Sequence, residues 1–270
     1  MPPDNSKEIQ TLLGVVGTPL GHSQSPAMFR KRFETLGRSD LEYLAFEFNT
    51  IDEVGKWMNS TPALKGFNVT LPFKQSILSL LDRLSVEAEE VGAVNTVVRE
   101  DKSWVGYNTD VWGFQRAIQP FLAMRHERAL VLGTGGSAAA VHHVLKGLGI
   151  EAVSVSRGVH AKDMEDGKLR PQACGRPVIG YDELSSWTFQ HHLLLIQCTP
   201  VGMHPHVEAC PPIPTKFLGP DHLVVDLIYN PPQTELLRRA KGQGALTLNG
   251  ADMLRLQADR AWEIWSAAGA

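Results

Sequence analysis

The sequence predicts an α/β fold in which most strands are parallel. Short apolar segments alternate with amphipathic helical patterns through nearly all of its 270 residues, an alternation that is typical of βαβ units. One apolar segment, residues 129–132, leads directly into the glycine-rich sequence GTGGSA and then into a helical pattern. That order of strand, glycine-rich loop and helix favours nucleotide binding, with a plain glycine-rich turn as the alternative.

Bulk composition limits the classes of protein to which the chain can belong. With 43% hydrophobic and 20% charged residues it resembles ordinary soluble proteins, and its length allows one or two domains with a core. The net charge of −3 argues against nucleic acid or an anionic membrane as a partner. No apolar stretch is long enough to span a bilayer, and the polar N-terminus lacks the apolar core of a signal peptide. Three widely spaced cysteines predict reduced thiols and a cytoplasmic protein.

Capping residues predict the helices of the first half. Ser25 followed by Pro26 is predicted to begin a helix, with the serine as N-cap. Thr50 and Glu53 form a capping box at the start of another helix. Asp110 begins a helix that runs to about residue 122. Apolar patterns add a helix over residues 85–91, strands over residues 12–17 and 43–48, and a hairpin of residues 94–99 and 104–109.

The segment GFNVTLPFK, residues 66–74, ends in a lysine just after an apolar run breaks at a proline. Its β-branched and aromatic residues predict a strand to about Thr70. Pro72 fits the first turn of a helix, so a helix over residues 73–81 is predicted to carry Lys74. Thr70 and Lys74 then lie at the carboxyl end of a strand, a common location for ligand sites in open α/β sheets. Taken alone, such a lysine is most often solvated.

The second half continues the alternation of strands and helices. The helix after the glycine-rich loop is predicted to run to residue 148. Residues 158–177 contain three glycines and two prolines, so a second crossover helix is not predicted there. Gly244 is expected to stop a helix over residues 234–243. The other predicted elements are strands over residues 153–155, 193–198, 223–227 and 245–248, and a final helix over residues 251–265.

The glycine-rich loop has the spacing of a dinucleotide fingerprint, Gly133-x-Gly135-x-x-Ala138. The glycines allow backbone N–H groups to approach a pyrophosphate closely, and the helix N-terminus adds partial positive charge. The next strand ends in Ser156 and Arg157, where an NAD site usually carries an acidic residue. A guanidinium pairs well with a 2′-phosphate. The sequence therefore favours NADP over NAD, with a solvated surface arginine as the alternative.

Eight segments, in order along the chain, resemble the motifs of the shikimate dehydrogenase family. They are GHSQSP (21–26), NVTLPFK (68–74), GAVNT (92–96), GYNTD (106–110), GTGGSA (133–138), CTPVGM (198–203), DLIYN (226–230) and the stretch from Gly250 through Met253 and Leu254 to Gln257. These segments cover nearly the whole chain and are far more specific together than the glycine-rich loop is alone.

The resemblance implies a reversible reduction of 3-dehydroshikimate to shikimate with NADPH, a step in aromatic amino-acid biosynthesis. It also implies two domains. Residues 1–109 and a returning C-terminal helix, residues 250–270, are expected to form an α/β substrate-binding domain. Residues 110–249 are expected to form a Rossmann-type NADP-binding domain, with the active cleft between the two. The expected assembly is a monomer or a homodimer.

The resemblance further implies roles for individual residues. Lys74 and Asp110 are the expected catalytic pair. The residues expected to bind the substrate are this pair together with Ser23, Ser25, Thr70, Asn95, Tyr229 and Gln257. The residues expected to bind the cofactor are Gly133, Thr134, Gly135, Gly136, Ser137, Ala138, Ser156, Arg157, Thr199, Leu227 and Gly250.

The expected pair accounts for the lysine that follows the proline. Hydride transfer to a ketone creates an alkoxide that must receive a proton, and the Lys74 ammonium can donate it. A carboxylate at Asp110 would hold the ammonium and raise the pKa of Lys74, whereas burial would lower it. Because efficient proton transfer needs a pKa near the working pH, we expect burial and cofactor binding to offset much of the effect of Asp110.

Other interpretations stay open at this stage. Quinate or an aminated shikimate analogue would be an alternative substrate on the same fold. A non-catalytic NADP- or ligand-binding regulator is disfavoured by the intact pair of Lys74 and Asp110. A nucleotide-dependent methyltransferase is disfavoured by Arg157. No metal site is expected, because the cysteines and histidines between residues 198 and 210 match no standard zinc spacing.

Overall fold

The computed structural model describes residues 11–21, 23–159, 172–173 and 176–270. The chain divides into two compact units. The first unit holds the chain up to Thr109 together with Ala258–Ala270, and the second unit holds Asp110–Gln257. Each unit is built on a sheet rich in parallel strands, which confirms the predicted α/β fold class.

The sheet of the first unit has six strands among the described residues, in the order β2-β1-β3-β5-β6-β4. They are β1 (Thr11–Gly17), β2 (Leu41–Glu47), β3 (Leu64–Val69), β4 (Arg83–Leu84), β5 (Thr96–Glu100) and β6 (Ser103–Tyr107). β1 is parallel to both β2 and β3, whereas β5 is antiparallel to both β3 and β6. The carboxyl end of β3 and the amino end of β5 therefore meet at one edge of this sheet, as the register of Asn68 opposite Thr96 requires.

Helices cover the first sheet through α1 (Ser25–Leu36), α2 (Ile51–Ser60), α3 (Val86–Val91) and the carboxyl-terminal part of α8 (Ala251–Ala267). On one face, the rings of Phe29 and Tyr43 stack with centroids 4.4 Å apart. Trp265 of α8 is fully buried beside them, and its indole N–H donates to the Val97 carbonyl at 2.9 Å. Large aromatic side chains contribute strongly to core stability. This cluster explains why the last residues of the chain belong to the first unit.

The sheet of the second unit has seven strands among the described residues, in the order β13-β12-β11-β7-β8-β10-β9. They are β7 (Arg128–Leu132), β8 (Glu151–Ser156), β9 (Gln172–Ala173), β10 (Arg176–Gly180), β11 (Leu194–Gln197), β12 (Leu223–Asp226) and β13 (Leu246–Leu248). Apart from the short antiparallel β9, all neighbouring strands are parallel. The order 3-2-1-4-5-6 of the doubly wound dinucleotide-binding fold is thus present, with its switch point between β7 and β11.

The helices of the second unit are α4 (Thr109–Ile118), α5 (Gly136–Gly147), α6 (Ser186–His191), α7 (Glu235–Gly242) and the first part of α8. The boundary between the two units falls inside α8, after Gln257. The core of this sheet contains fully buried Leu130, Leu132 and Leu195 packed against Phe189 of α6 and Leu236 of α7. At their carboxyl ends, the strands that carry these leucines, β7 and β11, continue into loops.

The predicted helix over residues 73–81 is wrong. Residues 71–75 form turns, and a short 3-10 helix follows over Ser76–Leu80. The Phe73 N–H donates to the Thr70 carbonyl, which closes a tight turn across Pro72. The hydroxyls of Ser76 and Ser79 donate to nearby backbone carbonyls. Such side-chain bonds compete with regular helical hydrogen bonding, so the segment does not form a regular α-helix.

The sequence prediction also omitted elements of the second unit. α6 was not predicted, although Ser185 caps its first turn through the N–H of Thr188. β10 lies within or just beyond the segment 158–177, where no crossover helix was predicted, and most of that segment, residues 160–171 and 174–175, lies outside the described residues. Both elements are short, and short elements give weak periodic signals.

Neither of the cysteines that the structure describes, Cys198 and Cys210, forms a disulfide. The third, Cys174, lies outside the described residues. Within the described part of the chain, no helix has both the length and the apolar character needed to cross a membrane.

Candidate active site

The turn after β3 brings three of the predicted site residues together in the first unit. The Thr70 N–H donates to the Val16 carbonyl of β1 at 2.9 Å. The Lys74 carbonyl accepts from the Val94 N–H at 2.7 Å, and the Asn95 carbonyl accepts from the Val69 N–H at 2.8 Å. Thr70, Lys74 and Asn95 therefore occupy one edge of the first sheet, where β3 ends and β5 begins. Thr70 and Lys74 are half-buried and Asn95 is buried.

A buried polar network fixes the position of Asn95. Its side-chain carbonyl accepts from the Thr109 N–H at 2.7 Å, and its amide donates to the Thr109 hydroxyl at 2.9 Å. The Asn68 amide donates to the Thr96 hydroxyl at 3.0 Å, and the Tyr43 hydroxyl donates to the Asn68 side-chain carbonyl at 2.7 Å. Buried polar groups that satisfy one another in this way hold a single arrangement. The network therefore keeps the amino end of β5 and the start of α4 in a defined geometry.

Asn68, Thr96 and Thr109 were not predicted as site residues. Asn68 and Thr96 are opposite each other in the register of β3 and β5, although 28 residues separate them in sequence. Their one sequence signal is a polar side chain next to buried apolar residues, Phe67 and Val69 in β3 and Val97 and Val98 in β5. Since such side chains need buried partners, that signal could have pointed to a polar network.

Asp110 directly follows Thr109 and lies in the first turn of α4. Its side chain is buried. A carboxylate in the first turn of a helix is stabilised by the partial positive charge of the helix N-terminus. Asp110 is the next residue after Thr109, which anchors the Asn95 side chain. Asn95 in turn is the next residue after Val94, whose N–H donates to the Lys74 carbonyl.

The structure corrects the predicted role of Ser25 as N-cap. The N-cap of α1 is Gln24, which makes no side-chain capping bond, and Ser25 is the first residue of the helix. The reason is that the chain already turns before Ser25, since the Ser23 N–H donates to the Leu20 carbonyl at 2.8 Å. Pro26 lies in the first turn as predicted. Ser25 is buried and Ser23 is half-buried.

The segment that carries these serines leads away from the same sheet edge as Lys74. The Thr18 N–H, just after β1, donates to the Leu71 carbonyl at 2.9 Å. The hydroxyl-bearing start of α1 is thus connected, within the first unit, to the turn after β3.

In the second unit, the predicted glycine-rich loop connects β7 to α5. Gly133 has φ of +109°, a conformation that side chains rarely permit, and its N–H donates to the Val155 carbonyl at 2.9 Å. A Cβ at Gly133 would contact the Thr199 methyl at 3.1 Å, whereas a Cβ at Gly135 would enter open space. Thr134 and Gly135 are not buried, so the loop leaves room above the N-terminus of α5.

These observations fit a dinucleotide, because backbone N–H groups at the N-terminus of a helix can bind a pyrophosphate in that room. The loop residues that would hold it are Gly133, Thr134, Gly135, Gly136, Ser137 and Ala138. The loop that begins with Ser156 and Arg157, at the end of β8, lies at the same sheet edge as this loop. Ser156 is half-buried and Arg157 is exposed.

The neighbouring strand β11 ends at a residue that sequence reasoning missed, Gln197. Its side-chain carbonyl accepts from the Thr199 N–H at 3.2 Å and from the Thr199 hydroxyl at 3.0 Å. Its amide donates to the Val201 carbonyl at 3.2 Å. Gln197 is fully buried, so it fixes the loop that carries Thr199 at the switch point of the sheet.

Leu227 and Gly250 lie against each other. A Cβ at Gly250 would overlap the Leu227 carbonyl, and Gly250 is buried. The Leu227 N–H in turn donates to the Gln197 carbonyl at 3.0 Å. Together with Thr199, they are three of the predicted cofactor-binding residues, and all three follow the carboxyl ends of β11, β12 and β13.

A cavity of about 280 Å³ opens beside these two residues in the second unit. Its lining includes Leu227, Gly250, Met253 and Phe114. Gln257, one turn after Met253 on α8, is buried and packs closely against Gly113 of α4. Its amide donates to the Leu254 carbonyl at 2.9 Å. Tyr229 is half-buried in the loop after β12.

A second residue that was not predicted, Asp226, stabilises that loop. Its carboxylate accepts from the Ile228 N–H at 3.0 Å and from the Thr234 hydroxyl at 2.7 Å. Burial raises the pKa of Asp226 to about 6, against the opposing effect of these two hydrogen bonds. The loop from Leu227 to Tyr229 is therefore held by an acidic group that titrates near neutral pH. In the described part of the chain, no three His, Cys, Asp or Glu side chains are grouped so that they could hold a metal ion.

The described geometry defines a class of protein: an α/β enzyme whose second unit is built to bind a dinucleotide. Comparisons with known proteins identify the family within this class. The family model of the shikimate dehydrogenase substrate binding domain matches residues 15–97. Shikimate dehydrogenase (NADP(+)) of Bacillus mycoides (strain KBAB4) is 37% identical over 265 residues, which cover 96% of this chain and 93% of that protein.

Solved structures agree. Shikimate 5-dehydrogenase from Thermus thermophilus, crystallised with NADP(H) and shikimate, is 31% identical with a TM-score of 0.79 over 95% of this chain and 94% of that chain. Quinate dehydrogenase from Corynebacterium glutamicum, in complex with NAD, is 28% identical with a TM-score of 0.75 over 96% and 94%. The chain belongs to the shikimate dehydrogenase family. The predicted family, the predicted class of NADP-dependent oxidoreductase and the predicted cofactor are thereby confirmed.

Proposed function

We propose that this protein catalyses the reversible reduction of 3-dehydroshikimate to shikimate with NADPH, in the biosynthesis of chorismate and the aromatic amino acids. Family membership supports the reaction type. The chain carries Lys74 and Asp110, the pair that the family resemblance implies for this chemistry. We assign the catalytic role to these two residues.

One observation carries the assignment of the pair. The Lys74 carbonyl accepts a hydrogen bond from the Val94 N–H. The side-chain carbonyl of the next residue, Asn95, accepts from the N–H of Thr109, which is the residue before Asp110. The segments that carry Lys74 and Asp110 are therefore hydrogen-bonded to Val94 and Asn95, the two consecutive residues just before β5. This short chain of hydrogen bonds supports the proposal that the two side chains act together.

The chemistry of the two residues follows from their charges. When bound, NADPH supplies a hydride to the carbonyl carbon of the substrate. The Lys74 ammonium donates a proton to the oxygen of that carbonyl, and the Lys74 amine takes the proton back when the alcohol is oxidised. The Asp110 carboxylate orients the ammonium and balances its charge.

The remaining predicted residues divide between substrate and cofactor. We assign substrate binding to Ser23, Ser25, Thr70, Asn95, Tyr229 and Gln257. Hydroxyls at a helix start such as Ser25 suit a carboxylate, because the first-turn N–H groups assist them. We assign the cofactor to the loop of residues 133–138, to Ser156 and Arg157, and to Thr199, Leu227 and Gly250.

The domain roles follow from these assignments. We propose that residues 1–109 and 250–270 form the substrate domain and that residues 110–249 form the NADP domain. The Rossmann strand order of the second unit supports the second assignment. The proposed substrate domain includes Gln257, whereas contacts within the chain place this residue at the end of the second unit. An experiment on Gln257 can therefore test the proposed substrate domain.

The purified protein tests the reaction directly. We expect nicotinamide absorbance to rise when shikimate and NADP⁺ are mixed with the enzyme, and to rise far more slowly when NAD⁺ replaces NADP⁺. Absorbance that stays flat with shikimate under both cofactors would overturn the proposal. Since the quinate dehydrogenase is also similar to this chain, quinate is the second candidate substrate. A kcat/KM for quinate above that for shikimate would favour it.

A further inference from the structure

Tyr181 lies where the cofactor's adenosine half is expected, although no role follows for it from the predicted motifs. β10 is parallel to β8, and Gly180 at the end of β10 is opposite Ser156 at the end of β8. Tyr181 is the next residue after Gly180 and begins a 3-10 helix, Tyr181–Glu183. Arg157 is the next residue after Ser156. The two side chains therefore leave adjacent strands at the same edge of the sheet.

The backbone around Tyr181 is fixed by close packing. A Cβ at Gly180 would overlap the Val159 carbonyl, so the turn after β10 packs directly against the chain that follows Arg157. The Gly180 N–H donates to the Glu183 carboxylate at 2.9 Å, which caps the 3-10 helix. The start of the Tyr181 side chain thus has a defined position.

The Tyr181 side chain has an apolar and a polar end in different surroundings. It is half-buried and packs against the core cluster of the second sheet that contains Leu130 and Phe189. The Arg157 guanidinium acts on its hydroxyl, since its charge lowers the pKa of Tyr181, while burial raises that pKa by more. The hydroxyl therefore stays protonated at neutral pH and can donate a hydrogen bond.

We propose that the Tyr181 hydroxyl donates a hydrogen bond to the 2′-phosphate of NADP, beside the guanidinium of Arg157. The inference deepens the proposed function and rests on the assignment of Arg157 to that phosphate. A neutral phenol adds a donor without adding charge, and a hydrogen bond to an anion is stronger than one between neutral groups. Tyr181 thus helps the site to prefer NADP over NAD.

Calorimetric titration with adenosine 2′,5′-bisphosphate and with adenosine 5′-monophosphate tests the proposal on the binding step alone. The Tyr181→Phe substitution removes the hydroxyl and keeps the ring. We expect it to weaken binding of the bisphosphate roughly ten- to a hundredfold and to leave binding of the monophosphate unchanged. A matched control is Tyr107→Phe, which removes another half-buried phenol, bonded to Glu100 in the first unit, and should change neither.

The outcomes separate Tyr181 from Arg157. Unchanged bisphosphate binding in Tyr181→Phe, or an equal loss for both nucleotides, overturns the role of Tyr181. If Arg157→Gln alone abolishes the preference for the bisphosphate, Arg157 keeps its assignment and Tyr181 loses its own. If only Tyr181→Phe abolishes it, the assignment of Arg157 fails, and the inference that Tyr181 donates to the phosphate beside Arg157 is overturned with it. Thermal unfolding of each variant confirms that it is folded.

Discussion

Lys74 lies in a turn rather than in a helix, and that position suits a proton donor. Its main-chain carbonyl is anchored by the Val94 N–H, while its half-buried side chain stays outside any regular helical surface. Replacement by alanine should therefore leave the fold intact. We expect Lys74→Ala to lower kcat at least ~10²-fold, the usual cost of losing acid–base catalysis.

Steady-state kinetics with shikimate and NADP⁺ provide the measurement. The control is Lys65→Ala, which removes an exposed lysine of β3 nine residues earlier and should keep wild-type kcat. A Lys74→Ala variant with near-wild-type turnover would exclude the assigned role.

Asp226 makes the stability of the second unit depend on pH. Burial raises its pKa to about 6 from an ordinary value of 3.8, so between those values the folded state binds more protons than the unfolded state. Stability contributed by this group therefore falls as the pH rises from about 4 through 6, by ~3 kcal/mol at most. An asparagine cannot ionise and avoids this loss.

The thermal midpoints of the wild type and Asp226→Asn, followed from pH 4.5 to 7.5, check the sign. We expect the variant to gain stability relative to the wild type as the pH rises through 6. The side-chain carbonyl of the introduced asparagine can still accept from the Ile228 N–H, so the backbone contact persists. A difference between the two proteins that does not vary with pH would contradict the raised pKa.

Residue types in a sequence show which chemistry is possible, but not always which partners supply it. Lys74 and Asp110 could be named from motifs, as could the glycines of the loop. Asn68 and Thr96 could not, because their contact depends on the register of two strands that are distant in sequence. Gln197 is similar, since its role arises only from how the chain turns back after β11.

At the scale of elements, Gly250 joins β13 to α8 with no space for a side chain. A methyl group there would overlap the Leu227 carbonyl, and backbone cannot move as easily as a side chain. We expect Gly250→Ala to lower the free energy of unfolding by ~1–3 kcal/mol and to weaken NADP binding, as measured by thermal unfolding and by titration with NADP⁺.

Gly147 offers the matched control for that substitution. It is the last residue of α5, and a Cβ there would meet nothing within 4 Å. Gly147→Ala should be neutral or stabilise the protein by up to ~1 kcal/mol, because alanine favours the helix. If both variants unfold at the wild-type temperature, close approach at Gly250 is not a constraint.

Elements with strong local signals were predicted well. The capping box of Thr50 and Glu53 begins α2 as expected, and Ser85 caps α3. The segment after β3 was mispredicted because its pattern is compatible with a helix, while Pro72 and the serine side chains favour turns. β10 and α6 were missed since each spans at most six residues and depends on packing against neighbours for its definition.

At the scale of the whole molecule, we propose that the two parts of the chain bind different ligands. The strand order of the second unit is that of a dinucleotide-binding fold, which agrees with the predicted loop. The first sheet instead carries Lys74, Thr70 and Asn95 at one edge. Contacts within the chain place Asp110–Gln257 in the second unit. The proposed substrate domain instead resumes at residue 250, so the two divisions differ over residues 250–257.

Hydrogen exchange followed by mass spectrometry resolves that difference. A ligand at about 100 times its Kd stabilises the unit that binds it by ~2.7 kcal/mol, which slows exchange through unit opening about a hundredfold. Shikimate should protect residues 68–74 and 95–110, and NADP⁺ should protect residues 133–138 and 198–202. Under the proposed domains, peptides over residues 251–257 follow shikimate, because Gln257 binds it. Protection of that stretch by NADP⁺ alone would place the start of α8 with the nucleotide and remove Gln257 from the substrate site.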